Sequence, residues 1–288
     1  MAHATVKAVL AILAGGILTL GALAYYQLPV LGANGLLHPA KRVMDAATQR
    51  QFPTMRFAGS GVDLEGWQVP AEGRRRGAVV YLHGIADNRG SAAEAVRRMS
   101  RQGFDALAFD SRAHGNSGGD ACTFGYFEKR DLRRVIDSLP AGPVIVIGAS
   151  LGAAVALQAA AEDPRISAVV AAESFSDLRT VASERAPWFF TPGAIRRSFV
   201  LAERLAQFKV DDVSPAAAAS RIRAPVLLIH GAADTETPPR HSQRIFDGLA
   251  GSRRLLLVPG AGHNHSLQPW VWDEIEKWID AAVSGAPF

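Results

Sequence analysis

Residues 144–154 read Val144-Ile145-Val146-Ile147-Gly148-Ala149-Ser150-Leu151-Gly152-Ala153-Ala154. A β-branched apolar run of this kind favours a buried strand, and the Ala-rich segment after it favours a helix. Between them lies Gly-x-Ser-x-Gly, the strand–turn–helix context in which a serine becomes an exposed nucleophile. A serine on so sharp a turn sits in strained backbone. Gly148 and Gly152 lack the side chains that would clash there with the neighbouring strand and helix. The helix N-terminus adds free N–H groups beside the hydroxyl. The bare pentapeptide also occurs as a tight turn around a buried capping serine, so the rest of the chain has to decide.

Four more apolar runs end in residues with chemistry. Ala78–Leu82 leads into His83-Gly84, and Ala106–Asp110 leads into Ser111-Arg112-Ala113-His114-Gly115-Asn116-Ser117-Gly118. Val226–Gly231 is followed by Ala232-Ala233-Asp234, and Leu255–Pro259 by Gly260-Ala261-Gly262-His263. An acid and a histidine thus follow later strands in the order Ser…Asp…His. On these motifs the chain, over roughly residues 52–283, resembles the α/β-hydrolase superfamily. Within it the chain looks most like the membrane-anchored bacterial Bem46-like or serine-aminopeptidase-like hydrolases.

The patterning predicts an α/β fold. Met55–Phe57 and Leu64–Val69 read as an antiparallel strand pair. From Gly77 onward strands (78–83, 105–110, 144–149, 166–171, 225–230, 254–258) alternate with helical stretches near 91–102, 126–138, 151–162, 239–249 and 267–282. That alternation implies a mostly parallel, doubly wound sheet. It breaks at about 175–214, where Trp188, Phe189, Phe190 and Phe199 fall; the resemblance makes this insertion after the sixth strand a small cap. The expected organisation is an N-terminal membrane anchor at 1–28, a juxtamembrane connector at 29–51, and a hydrolase domain at 52–288.

The N-terminus carries no Asp, Glu, Lys or Arg between Lys7 and Lys41. Its apolar heart, Ala8–Ala24, with Tyr25–Leu28, supplies the roughly 20 residues a bilayer-spanning helix needs. Ala22-Leu23-Ala24 also fits a signal-peptide cleavage site, although the apolar run exceeds the usual h-region of about 7–15 residues. Lys7 ahead of the span orients the catalytic domain outward. The expectation is an uncleaved helix in the bacterial inner membrane with a periplasmic domain, although Lys41-Arg42 follows the span.

With 288 residues, 48% of them hydrophobic, the chain can bury one large core. The net charge of +4 comes from scattered pairs and Arg74-Arg75-Arg76, a solvated surface rather than a nucleic-acid footprint. The single cysteine, Cys122, rules out an internal disulfide. No His, Cys and carboxylate spacing suggests a metal, and no cofactor is expected.

Ser150 needs a base, and an imidazole can take its proton and return it to a leaving group. His263 is the candidate; His265, two residues on, competes but misses the Gly-x-Gly-His pattern of the resemblance. Asp234 would orient the ring, with Glu173 and Asp177 as alternative acids. The resemblance assigns the oxyanion donors to the backbone N–H groups of Ile85 and Leu151, and it leaves His83 and His114 as loop supports. It implies hydrolysis of a carboxylic ester (a lysolipid-like one included) or a thioester through an acyl-enzyme. An aminopeptidase-like activity is the alternative, with Glu173, Asp177 or Glu184 holding the amine. A non-catalytic binding protein on the same fold is the alternative of another class.

Overall fold

The computed structural model describes residues 2–286. The chain divides into two compact units, Met1–Leu37 with Ala186–Phe208, and His38–Arg185 with Lys209–Phe288.

The larger unit is built on one eight-stranded sheet. Its strands are β1 (Thr54–Ala58), β2 (Asp63–Val69), β3 (Gly77–Leu82), β4 (Phe104–Phe109), β5 (Val144–Ala149), β6 (Ile166–Ala172), β7 (Val226–Gly231) and β8 (Arg253–Val258). The order across the sheet is β1-β2-β4-β3-β5-β6-β7-β8. β2 pairs antiparallel with β1 and β4, and every pairing from β4 to β8 is parallel. Parallel strands are covered on both faces, which is why β3, β4 and β7 are buried along their whole length.

The two-residue period sorts their side chains. Val79, Tyr81, Ile145, Ile147, Val170, Leu227 and Ile229 share one core cluster with Val96 and Met99 of α3 (Ala93–Arg101) and with Val271, Ile275 and Trp278 of α10 (Pro269–Ser284). Four helices pack in succession apart from that cluster: α4 (Glu128–Asp137), α5 (Leu151–Ala160), α8 (Pro215–Ala219) and α9 (Arg240–Gly248). α5 is Ala-rich and fully buried, so it lies close beneath the sheet.

The remaining helices are α1 (Ala2–Leu37), α2 (Ala46–Gln49), α6 (Leu178–Glu184) and α7 (Pro192–Ala206). The inserted segment is therefore helical. Asp177 accepts from the Thr180 N–H to start α6. Thr191 accepts from Ala194 N–H to start α7, with Pro192 in the first turn.

In the smaller unit α1 packs on α7. The sequence reading ended the apolar helix at residue 28, before Pro29; α1 instead runs through Pro29 to Leu37, so the expected connector begins as helix. A proline inside a helix removes the N–H that would serve the carbonyl four residues earlier. That carbonyl belongs to Tyr25, and the Arg197 Nη2 of α7 donates to it at 3.2 Å while its guanidinium stacks 3.8 Å over the Tyr25 ring. The lost bond is replaced from another element. Gly32 permits the contact, since a Cβ there would collide with Ser198 and Phe190. Earlier in α1 the apolar side chains from Val6 to Leu23 are exposed. Residues 5–37 are long and apolar enough to cross a membrane.

Candidate active site

The site is assembled at the carboxyl ends of β5, β6, β7 and β8. Between β5 and α5, Ser150 adopts φ 49°, ψ −108°, a conformation unusual for any residue but glycine. Two glycines make that turn possible. A Cβ on Gly148 would strike the Gly152 and Ala153 backbone, and one on Gly152 would strike the Leu82 carbonyl. The Ser150 N–H donates to the Ala172 carbonyl at 2.8 Å, pinning the turn to β6.

The structure brings Ser150, His263 and Asp234 together. Ser150 Oγ lies 3.0 Å from His263 Nε2, and His263 Nδ1 lies 2.7 Å from Asp234 Oδ2. All three residues are buried, and Ser150 and His263 line a cavity of about 950 Å³. His265 makes no contact with either partner among the described residues; it is exposed, and its N–H donates to the Gly262 carbonyl.

Asp234 is held by more than His263. Its Oδ1 accepts from the N–H groups of Glu236 and Thr237, each at 2.9 Å. Its Oδ2 lies 3.3 Å from His230 Nε2. Burial pushes the carboxyl upward, but bonds from His230, His263 and the Thr237 N–H outweigh it, and the pKa falls well below the usual carboxylate range. His230 is fully buried, with Nε2 at 2.6 Å from the Thr237 carbonyl and Nδ1 at 2.6 Å from Ser242 Oγ. A carbonyl can only accept, so Nε2 carries the proton.

The other acids of the sequence reading are engaged elsewhere. Glu173 accepts from the N–H groups of Asn264 and Ser266, clamping the loop that carries His263. Asp177 caps α6, and Glu184 bonds His241 and Arg240. Each is thus paired within the protein, Glu173 at the cavity wall.

Ile85 lies just past β3 and lines the cavity, and Leu151 opens α5. Neither backbone N–H donates to a hydrogen-bond acceptor among the described residues. The Ile85 loop is braced from below. Arg89, fully buried, donates to Asp110 Oδ2 at 2.5 Å and Glu65 Oε1 at 2.6 Å, and its N–H reaches Asp110 Oδ1 at 2.7 Å. His83 Nδ1 lies 2.7 Å from the Gly84 carbonyl, and its Nε2 accepts from the Ser111 N–H at 2.9 Å. His114 packs edge-on against it at 5.2 Å and lies 2.9 Å from the Arg112 carbonyl. Burial lowers the pKa of both rings, that of His114 to about 4. Both histidines support loops.

A family model described as the alpha/beta hydrolase fold matches residues 77–212, from β3 past the elbow into the inserted segment. The chain has the α/β-hydrolase fold. An uncharacterized protein of Mycobacterium tuberculosis is 29% identical over 266 residues, 90% of this chain and 87% of its own. A monoacylglycerol lipase of Mycolicibacterium smegmatis is 26% identical over 71% of this chain and 88% of its own. Among solved structures, an esterase of Pyrococcus furiosus superposes with TM-score 0.68 at 23% identity, over 86% of this chain and 98% of its own. As in open parallel α/β sheets generally, the polar groups gather where the parallel strands end.

Glu173, Asp234 and His263 each offer one ligand atom within 4.8 Å of the others, although no metal spacing is visible in the sequence. Their atoms already serve one another and the Asn264 and Ser266 N–H groups, so the cluster is satisfied by hydrogen bonds. Two residues around the reacting centre escaped the sequence reading. His230, in β7 four residues before Asp234, is hidden by the apolar run of the strand that carries it. Arg185, the C-cap of α6, places Nη2 at 3.3 Å from His263 Nε2. No local pattern distinguishes it from Arg179 or Arg196.

Proposed function

We propose that this chain is a membrane-anchored serine hydrolase that cleaves a carboxylic ester or thioester through an acyl-enzyme. The observation that carries the reading is the unbroken contact from Ser150 Oγ through His263 to Asp234, at an elbow whose strain keeps the hydroxyl at the cavity wall. Ser150 Oγ attacks the carbonyl carbon while its proton passes to His263 Nε2. The carbonyl oxygen becomes an oxyanion facing the N–H groups of Ile85 and Leu151, donors typically worth about 2.7–4 kcal/mol each. Collapse breaks the ester bond, and His263 gives its proton to the leaving oxygen. Water then repeats the sequence on the acyl-enzyme, returning Ser150. Asp234 keeps the ring oriented and offsets its positive charge.

Esters are preferred over amine-bearing peptides because Glu173, Asp177 and Glu184 are engaged and a cation, Arg185, stands beside the base. The esterase and monoacylglycerol lipase names among the similar proteins agree with an ester or lipid-like substrate. The exposed apolar face of α1 supports an anchor in the bacterial inner membrane, and Lys7 supports a periplasmic domain. Assignment to the Bem46-like group rests on the sequence motifs.

The test is labelling of the membrane fraction with a fluorophosphonate probe. Parent protein is expected to label and to resist carbonate extraction, and Ser150→Ala to lose the label and at least 99% of ester turnover at nearly unchanged thermal stability. Retained turnover in Ser150→Ala would refute the nucleophile assignment, and a soluble mature form starting at Tyr25 would refute the anchor.

A further inference from the structure

Arg185 ends α6 with its guanidinium turned to the reacting centre. Its Nη2 lies 3.3 Å from His263 Nε2, the nitrogen that faces Ser150 Oγ. Nε donates to the Glu236 carbonyl at 3.0 Å and Nη2 to Thr237 Oγ1 at 2.5 Å, so the group is held in place. It is poorly neutralised. The nearest carboxylate oxygen, on Glu236, is 3.9 Å away on a side chain that is 65% exposed. No acceptor for Nη1 is present among the described residues, and the side chain, 33% exposed, lines the cavity. Arg98 lines the same cavity but is tied to Asp273 and Glu276.

This arrangement is unfavourable for the unliganded reaction. When His263 takes the Ser150 proton, its imidazolium is offset by Asp234 but stands at hydrogen-bond distance from a guanidinium that no described carboxylate approaches closer than 3.9 Å. An anion on Arg185 would offset that guanidinium. Its position follows from the chemistry. His263 Nε2 must hand its proton to the leaving oxygen, so a group beside Nε2 is a neighbour of the leaving alcohol rather than of the acyl chain. A guanidinium with free N–H groups presents the fork that phosphate and carboxylate oxygens fit.

We propose that Arg185 is a specificity-determining residue that binds a phosphate or carboxylate carried on the leaving alcohol, a few bonds from the ester oxygen. This rests on the serine-hydrolase reading above. Such an alcohol could be the headgroup side of a lysophospholipid or a small soluble phosphorylated alcohol; the shared chemistry is the anion next to the cleaved bond.

The test compares kcat/KM of the full chain in detergent micelles on two matched pairs. One pair is butyryl glycerol phosphate against butyryl glycerol, both soluble; the other is oleoyl glycerol phosphate against oleoyl glycerol. The parent is expected to prefer the phosphorylated member by about tenfold or more, as a charge-assisted hydrogen bond would give. In Arg185→Gln the ratio should fall to near one, whatever the change in absolute rate, and Arg185→Lys should restore part of it. A preference in both pairs points to the phosphate itself, and one confined to the oleoyl pair points to a lipid source. Parity in the parent for both pairs overturns the proposal, as does a ratio unchanged in Arg185→Gln, which would leave Arg185 a tether of the Glu236-Thr237 loop. Fluorophosphonate labelling separates the two readings. A parent that labels and cleaves butyryl glycerol without preference refutes only the role of Arg185, whereas one that neither labels nor cleaves any of the four esters refutes both.

Discussion

Glu173 Oε2 lies 3.9 Å from the His263 Nδ1 that Asp234 holds at 2.7 Å, so two buried carboxylates approach one ring nitrogen. They differ in what else they bind. Asp234 shares its oxygens between His263 and its own loop, whereas Glu173 is bound to the backbone that follows His263.

Asp234→Asn should therefore lower kcat by about four orders of magnitude while leaving the fold intact, because an amide favours the wrong imidazole tautomer. Glu173→Gln keeps one acceptor oxygen for the loop and should lower kcat far less, with a drop in melting temperature. Steady-state kinetics and thermal melts on both variants decide the ranking. A larger kinetic loss in Glu173→Gln would make Glu173 the orienting acid.

The two loop histidines should separate sharply. His263→Ala is expected to match Ser150→Ala in lost turnover, since residues that act as a unit do not lose activity additively. His265, exposed and turned away from Ser150 and Asp234, should tolerate alanine with most activity retained. Ester turnover of the two single variants and of His263→Ala with Ser150→Ala checks both statements. The opposite pattern would move the base to His265.

Stability should fall on acidification as two buried histidines are forced to protonate. His83 and His114 have folded-state pKa values lowered by burial, so the unfolded chain binds their protons first. Their contribution is complete above the unfolded value of about 6.5 and is lost as pH drops from there toward about 4 for His114. Each site adds a slope of up to about 1.4 kcal/mol per pH unit within its window. Thermal melts of the parent between about pH 7.5 and about pH 4.5 should show this loss, and His114→Gln should flatten it. A melting temperature independent of pH across that range would contradict neutral burial of these rings.

Most of the sheet was legible because its signals are local. Strands buried on both faces announce themselves as apolar runs, and six predicted strands from β3 to β8 match within a residue or so. The elbow was legible for a similar reason, since its glycines are required by their immediate neighbours. What stayed hidden depends on partners distant in sequence. Pro29 reads as a helix stop until Arg197, far along the chain, supplies the missing donor. α6 and α7 carried cap signals in Asp177 and Thr191-Pro192, but the weak apolar periodicity after them obscured the helices. The place of Arg185 beside His263 is set by where α6 ends in space, which no spacing in the sequence encodes.

The bond from Arg197 to the Tyr25 carbonyl makes α1 a lever. The helix is continuous from Ala2 to Leu37, about 54 Å at 1.5 Å per residue, and only its last turns are gripped by α7. Anchored as proposed, its apolar arm would tilt to suit the thickness of the bilayer around it. A rod clamped at one end passes such a tilt on as torque, and α7 would receive it through Arg197, Gly32 and Ser198. Cleavage after Ala24 would remove the arm and leave Pro29, Gly32 and the grip itself behind, turning a mechanically loaded segment into a free one without unpacking it.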